Sequence, residues 1–269
     1  MHLHKTRIQI EKFLYTKGRN VALYNAEHSD RYKNFEKAVK AGLVDQIRAI
    51  ADYENSLPLL MSLAKGPSQE LLAQVSVLIS KDSLGKKVDL SAYMVWAGEQ
   101  GGQAFFDKNA IDLTFGLKDE ELITYFNDYS RLVIDSVDDY TKEWIATKIQ
   151  DGKIAGFTPF ELQQQLELDG DAISSIRAER IVLTETATAM TKIELEAAKR
   201  NGIVDKVWRT SLDERVCPTC SPLEGEKRKI GENFSSGTDG PPAHVSCRCY
   251  FEDVIPDGWV IPEKAWVGQ

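Results

Sequence analysis

The sequence predicts a mainly α-helical protein with a small α+β zinc-binding module near its C-terminus. Two observations predict this class. Apolar residues recur at three- and four-residue steps through most of the first two hundred positions, for example Phe35, Val39, Leu43, Ile47 and Ile50. All four cysteines then fall in one late window, as Cys217-Pro-Thr-Cys220, twenty-three residues, and His244-Val-Ser-Cys247-Arg-Cys249.

The helical part is read in order. Helices are expected over about residues 5–25 and 30–53, followed by breaks at Pro58 and Gly66-Pro67-Ser68. Ser68 suits the N-cap of a helix running through Ile79, with Glu70 in its first turn. Val88–Phe106 is ambiguous, because Gly98, Gly101 and Gly102 interrupt it. From Asp119 to Ile149 a broad apolar stripe (Leu122, Phe126, Val137, Trp144, Ile145, Ile149) predicts a helix that Gly152 and Gly156 close. Thr158-Pro159-Phe160-Glu161 pairs a capping-box Thr and Glu with proline at the first helical position, starting a short helix through Leu168. Another helix is expected from about Asp171 to Ala198, capped by Asn201-Gly202.

Val204–Thr210 alternates as a strand does, with Lys206 and Trp208 on one face and Val207 and Arg209 on the other. A second strand is expected at Tyr250–Ile255, and the basic run Lys227-Arg228-Lys229 is read as loop. The division is residues 1–150, a helical N-terminal domain; 151–255, the cysteine-bearing domain; and 256–269, an irregular tail. Trp259 and Trp266, two of the five tryptophans, predict that this tail docks, in cis or on a partner.

A Cys-x-x-Cys turn sets two thiolates at the separation a tetrahedral Zn²⁺ needs, and the second cluster supplies the remaining pair. Disulfides are the first alternative, but Met1–Arg7 has no apolar signal-peptide core and a chain of 269 residues needs no staples. A redox Cys-x-x-Cys is the second, and it expects a βαβ pattern that is not found. Cys217, Cys220, His244, Cys247 and Cys249 are five candidates for four places. The fourth ligand is His244 or Cys249, and spacing leaves that choice open. Around them, Asp213 suits a turn carboxylate, Gly225 a positive-φ turn, and Arg248 a partner for Asp213 or Glu214; each also reads as an ordinary turn or surface residue.

Bulk properties narrow the function. A net charge of −8 argues against a nucleic-acid-coating surface, and no run of eighteen apolar residues suggests a membrane span. Residues 1–50 nevertheless carry ten Lys+Arg against five Asp+Glu, so this stretch is +5 and the remainder −13. Lys5, Arg7, Lys12, Lys17 and Arg19 are therefore candidates for contact with DNA or an acidic partner, the alternative being a solvated helix face. The chain has no His-x-Glu, His-Glu-x-x-His, Gly-x-Ser-x-Gly or phosphate-binding glycine loop, and an enzyme is not expected. A zinc-supported nuclease with His244 as base, and a zinc-stabilised DNA-binding module using Lys227–Lys229, are the alternatives.

Residues Gly152–Val254 resemble the phage Mu F-like minor head proteins, also called head-morphogenesis proteins. The resemblance rests on pieces in a fixed order: Thr158–Glu161, Arg177-Ala178-Glu179-Arg180-Ile181, Thr184-Glu185-Thr186, Gly202, Lys206-Val207-Trp208, Asp213–Cys220, Leu223-Glu224-Gly225 and Pro241–Cys249. It implies a low-copy structural protein of the virion, inside the capsid near the portal vertex, present in the host cytoplasm during assembly. Its implied partners are the portal protein, a major capsid or scaffold protein, and packaged double-stranded DNA, with no membrane. The implied role is procapsid assembly and DNA packaging or exit.

Overall fold

A computed structural model describes residues 21–52, 54–64, 69–81, 83–211 and 216–269. Helices dominate: α1 (Val21–Glu27), α2 (Asp30–Ile50), α3 (Ser56–Leu63), α4 (Gln69–Lys81), α5 (Leu90–Lys108), α6 (Glu120–Ile154) and α7 (Pro159–Arg200). They precede a three-stranded antiparallel sheet of β1 (Asp205–Arg209), β2 (Lys227–Lys229) and β3 (Tyr250–Val254), in the order β2-β1-β3. No helix among the described residues is long and apolar enough to cross a membrane. Ser68, expected as an N-cap, and the basic residues Lys5, Arg7, Lys12, Lys17 and Arg19 lie outside the described residues.

The chain forms two compact units. Among the described residues, one comprises 33–91 and 127–182, the other 21–32, 92–126 and 183–269, so each draws on both sides of residue 150.

In the first unit, Ile47, Ile50, Leu57, Leu60, Leu71, Val75 and Ile79 from α2, α3 and α4 bury against Ile145, Ile149, Leu162 and Leu166 of α6 and α7. At about 25 cal/mol per Å² of apolar surface removed from water, such side chains contribute roughly 1.5–3 kcal/mol each. The capping box forms as expected: Thr158 N–H donates to Glu161 Oε2 (2.8 Å), and Glu161 N–H to Thr158 Oγ1 (3.2 Å). The helix it starts does not stop at Leu168. Gly170 lies inside a single 42-residue helix, where a Cβ would stand 2.9 Å from Ile47 Cγ2. This glycine, between the two helices expected to end at Leu168 and begin near Asp171, allows close packing at a propensity cost of about 1 kcal/mol relative to alanine. Lys40, part of the basic stretch, faces Asp171 at 3.3 Å.

In the second unit the ambiguous glycine-rich segment is α5. A Cβ on Gly101 would lie 2.1 Å from the Met190 carbonyl oxygen, so the backbones of α5 and α7 approach as only glycine allows. Arg31, though exposed, lies over Trp96 of the same unit, its guanidinium 5.4 Å from the ring centre.

The tail docks in cis. Trp266 N–H donates to Asn201 Oδ1 (2.9 Å) and Asn201 Nδ2 donates back to the Trp266 carbonyl (3.1 Å). The Trp266 ring packs edge-on to Phe115, with centres 5.2 Å apart, and lies under Arg200 at 4.5 Å. Gly116 N–H donates to the Val267 carbonyl (3.1 Å), and the N–H groups of Lys118 and Asp119 to that of Gly268 (2.6 and 3.0 Å). Asn201 is thus more than a helix cap.

Candidate metal centre

β1 carries the site. Its alternation buries Lys206 and Trp208 and leaves Asp205, Val207 and Arg209 half-exposed, the faces its sequence predicts. Lys206 is fully buried and is held by the backbone carbonyl and carboxylate of Asp239, with Phe234 5.1 Å from its ammonium. β2 corrects the loop reading of Lys227–Lys229: these residues pair with Val207, Lys206 and Asp205. Three consecutive basic residues show no apolar alternation, so backbone pairing alone reveals the strand. Two of their cations are also engaged, Lys227 with Asp205 (3.0 Å) and Arg228 with Glu226 (2.6 Å).

The Cys-x-x-Cys turn hangs from the end of β1. Cys220 N–H and Ser221 N–H both donate to the Cys217 carbonyl (3.1 and 2.9 Å), closing the knuckle. Gly225 takes φ +77°, the positive-φ turn its position predicts, and donates to the Trp208 carbonyl (2.9 Å). Glu224 is a residue whose role the sequence conceals. Its carboxylate accepts from Thr210 N–H (2.6 Å), Thr210 Oγ1 (2.8 Å) and Arg209 (3.2 Å), and Arg209 also reaches Glu252 on β3 (2.7 Å). Asp213 lies outside the described residues; Arg248 is half-buried between Cys247 and Cys249.

The second ligand turn comes after a cis peptide between Pro241 and Pro242. Cys247 N–H donates to the His244 carbonyl (3.1 Å), and Ser246 between them adopts φ +60°. Ser246 N–H donates to Thr184 Oγ1 on α7 (3.0 Å), so a hydroxyl sixty-two positions away anchors the turn. Thr184 belongs to the Thr184-Glu185-Thr186 piece of the resemblance, which was the only signal that could have found it.

The two turns meet. Cys217, Cys220 and His244 have donor atoms all within 4.8 Å of one another, as do Cys220, Cys247 and Cys249. His244 Nε2 is 3.1 Å from Cys217 Sγ and 3.2 Å from Cys220 Sγ, and the sulfurs of Cys220 and Cys247 are 3.8 Å apart. No disulfide links the four cysteines. Zn–S bonds of about 2.3 Å imply a tetrahedral edge of about 3.8 Å, so the Cys220–Cys247 separation fits, and the His244 contacts need to open by only a few tenths of an ångström. Thiolate and imidazole donors suit zinc.

Protons are held unevenly across the cluster. The Cys249 thiol donates to Cys247, and with other donors this holds Cys247 down to about 5. Burial pushes Cys220 up to about 12, and hydrogen bonding to Cys247 together with burial pushes Cys249 upward. A bound cation displaces the protons of those thiols it takes as ligands, so the site exchanges protons for metal. Buried around it are Trp208, Leu223 and Phe234, the Trp208 and Phe234 rings edge-to-face with centres 5.2 Å apart.

Residues 143–252 match the family described as Phage Mu protein F like protein. The Mu F-like span is less than half of the chain, and it takes in the end of α6, all of α7, both ligand turns and much of β3. It supports a phage head-morphogenesis protein, as the ordered motifs imply. No curated protein and no solved structure matches the chain significantly.

Proposed function

We propose that this chain is a structural minor head protein of a tailed phage or prophage, in which a zinc ion clasps the Mu F-like module. The observation that carries the reading is the meeting of two ligand turns, twenty-three residues apart in sequence, inside a Mu F-like span. Zinc here is a scaffold. It closes the long excursion between β1 and β3, which otherwise rests on a sheet whose paired strands are three to five residues long.

The role is assembly rather than catalysis. A general base must face substrate, whereas His244 Nε2 faces two sulfurs. The partners proposed are the portal protein and a major capsid or scaffold protein, placing the chain in the capsid interior near the portal vertex. The basic residues Lys5, Arg7, Lys12, Lys17 and Arg19 would lie toward packaged DNA. Co-expression with the cognate portal protein tests this directly. A stable complex, reduced by Cys217→Ser and Cys220→Ser, is expected; assembly of normal, DNA-filled heads without the chain would overturn the reading.

A further inference from the structure

The cluster offers five donors where zinc takes four, in two groups that share Cys220: Cys217, Cys220 and His244, and Cys220, Cys247 and Cys249. His244 is oriented by a hydrogen bond between its Nδ1 and the Val245 carbonyl (2.9 Å), which makes Nδ1 the protonated nitrogen. The Nε2 lone pair then faces the sulfurs of Cys217 and Cys220. A backbone carbonyl on one ring nitrogen with soft donors grouped at the other is how a ligating histidine is set. Side-chain packing does not explain this placement, because His244 is exposed.

Cys249 differs. It extends the buried face of β3: Cys249, Phe251 and Asp253 are buried, while Tyr250 and Glu252 point the other way. Strand periodicity and the apolar surroundings therefore account for its burial without an ion, as for any thiol acting as a small hydrophobe. Charge points the same way. Zn²⁺ with four thiolates carries −2, whereas three thiolates and a neutral imidazole carry −1, and the cost of burying charge grows roughly as its square. With Trp208, Leu223 and Phe234 around the sulfurs, the singly charged shell is the cheaper one.

We propose that one divalent ion draws Cys247 in to the Cys217–Cys220–His244 group and is held by these four, with Cys249 left outside the shell as a buried thiol. This rests on the metal-clasp reading above. Four protein donors complete a tetrahedron, so no coordination position is left for a reactive water.

The test is cadmium-113 NMR of the full chain reconstituted with Cd²⁺, because the shift moves downfield with each thiolate that replaces a nitrogen. Expected are one resonance in the range for three sulfurs and one nitrogen, scalar coupling from cadmium to a His244 ring proton, and an unchanged shift in Cys249→Ala. His244→Cys should move the line into the four-sulfur range. A four-sulfur shift without histidine coupling in the unsubstituted protein would overturn this ligand set and leave the clasp standing, and that spectrum needs no variant to fold. Failure of the reduced chain to retain either Cd²⁺ or Zn²⁺ would overturn the clasp itself.

Discussion

Thr184 Oγ1 accepts the N–H of Ser246 at 3.0 Å, joining the long helix to the turn between His244 and Cys247. Ser246 is held at φ +60°, a conformation non-glycine residues seldom adopt, so the turn depends on outside contacts to keep its shape. Thr184→Val keeps the volume and removes the acceptor, at a cost of about 1–2 kcal/mol for a half-buried N–H left without its partner. If that cost is expressed in the metal-bound state, zinc affinity falls roughly tenfold, since about 1.4 kcal/mol is a factor of ten. Chelator competition measures it, with Thr184→Ser as the variant that retains affinity. Equal affinity for all three proteins would show that the hydroxyl does not position the ligand turn.

Removing the metal should unfold the module and spare the helices. Structural zinc in small domains contributes on the order of 10–16 kcal/mol, more than the whole stability of many domains. The prediction is that a chelator under reducing conditions exposes Trp208, which is fully buried, and shifts its fluorescence to the red. Far-UV circular dichroism should change little, because helices α1–α7 all lie before the zinc-clasped segment, Asp205–Val254. A protein whose emission and protease resistance survive complete metal removal has a module that folds without the clasp.

Local signals were legible and distant ones were not. Thr158 and Glu161 predict their own reciprocal bonds because the capping box spans four residues. β1 shows its buried face through alternation, and the five ligand candidates show themselves through spacing. The continuity of α7 between Leu168 and Asp171 was not legible, because Gly170 there packs on Ile47, more than a hundred positions away. β2 is hidden because three basic residues carry no hydrophobic pattern, and their strand character comes from β1. Trp259 and Trp266 announce docking but cannot name Asn201 and Phe115 as the receiving surface.

That receiving surface makes a second stability prediction. Asn201 is fully buried; its side chain accepts from and donates to the Trp266 backbone, while its carbonyl accepts from Trp259 Nε1 (3.0 Å). Asn201→Ala removes both side-chain bonds to Trp266, together with the bond from Nδ2 to the Ala197 carbonyl (2.8 Å), and leaves the Trp266 N–H and carbonyl without those partners, for a cost of about 1–3 kcal/mol. The tail beyond Pro256 should then be cut sooner in limited proteolysis, with the remainder of the chain intact on a gel. Unchanged cutting would mean that the Phe115–Trp266 packing and the bonds to Gly116, Lys118 and Asp119 hold the tail without Asn201.

Asp119 gives a pH dependence whose sign follows from its contacts. Oδ1 accepts the N–H groups of Glu121 and Leu122 (3.1 and 3.2 Å) at the start of α6, and Oδ2 accepts from Arg200 (2.8 Å). Burial works against its ionisation, but the Leu122 N–H and the Arg200 guanidinium outweigh that and leave its pKa below the ordinary value of 3.8. A depressed folded-state pKa means the stabilisation is fully present above the unfolded value and is lost as pH falls through the folded one. Asp119→Ala should therefore cost about 1 kcal/mol for the lost cap at neutral pH. The gap from the unsubstituted protein should stay flat from about pH 5 to 8 and narrow below about pH 4. Denaturant unfolding across that range measures it. A gap that stays constant down to pH 3 would show that shape at this helix start, and not the charge of Asp119, holds α6 in register with Arg200.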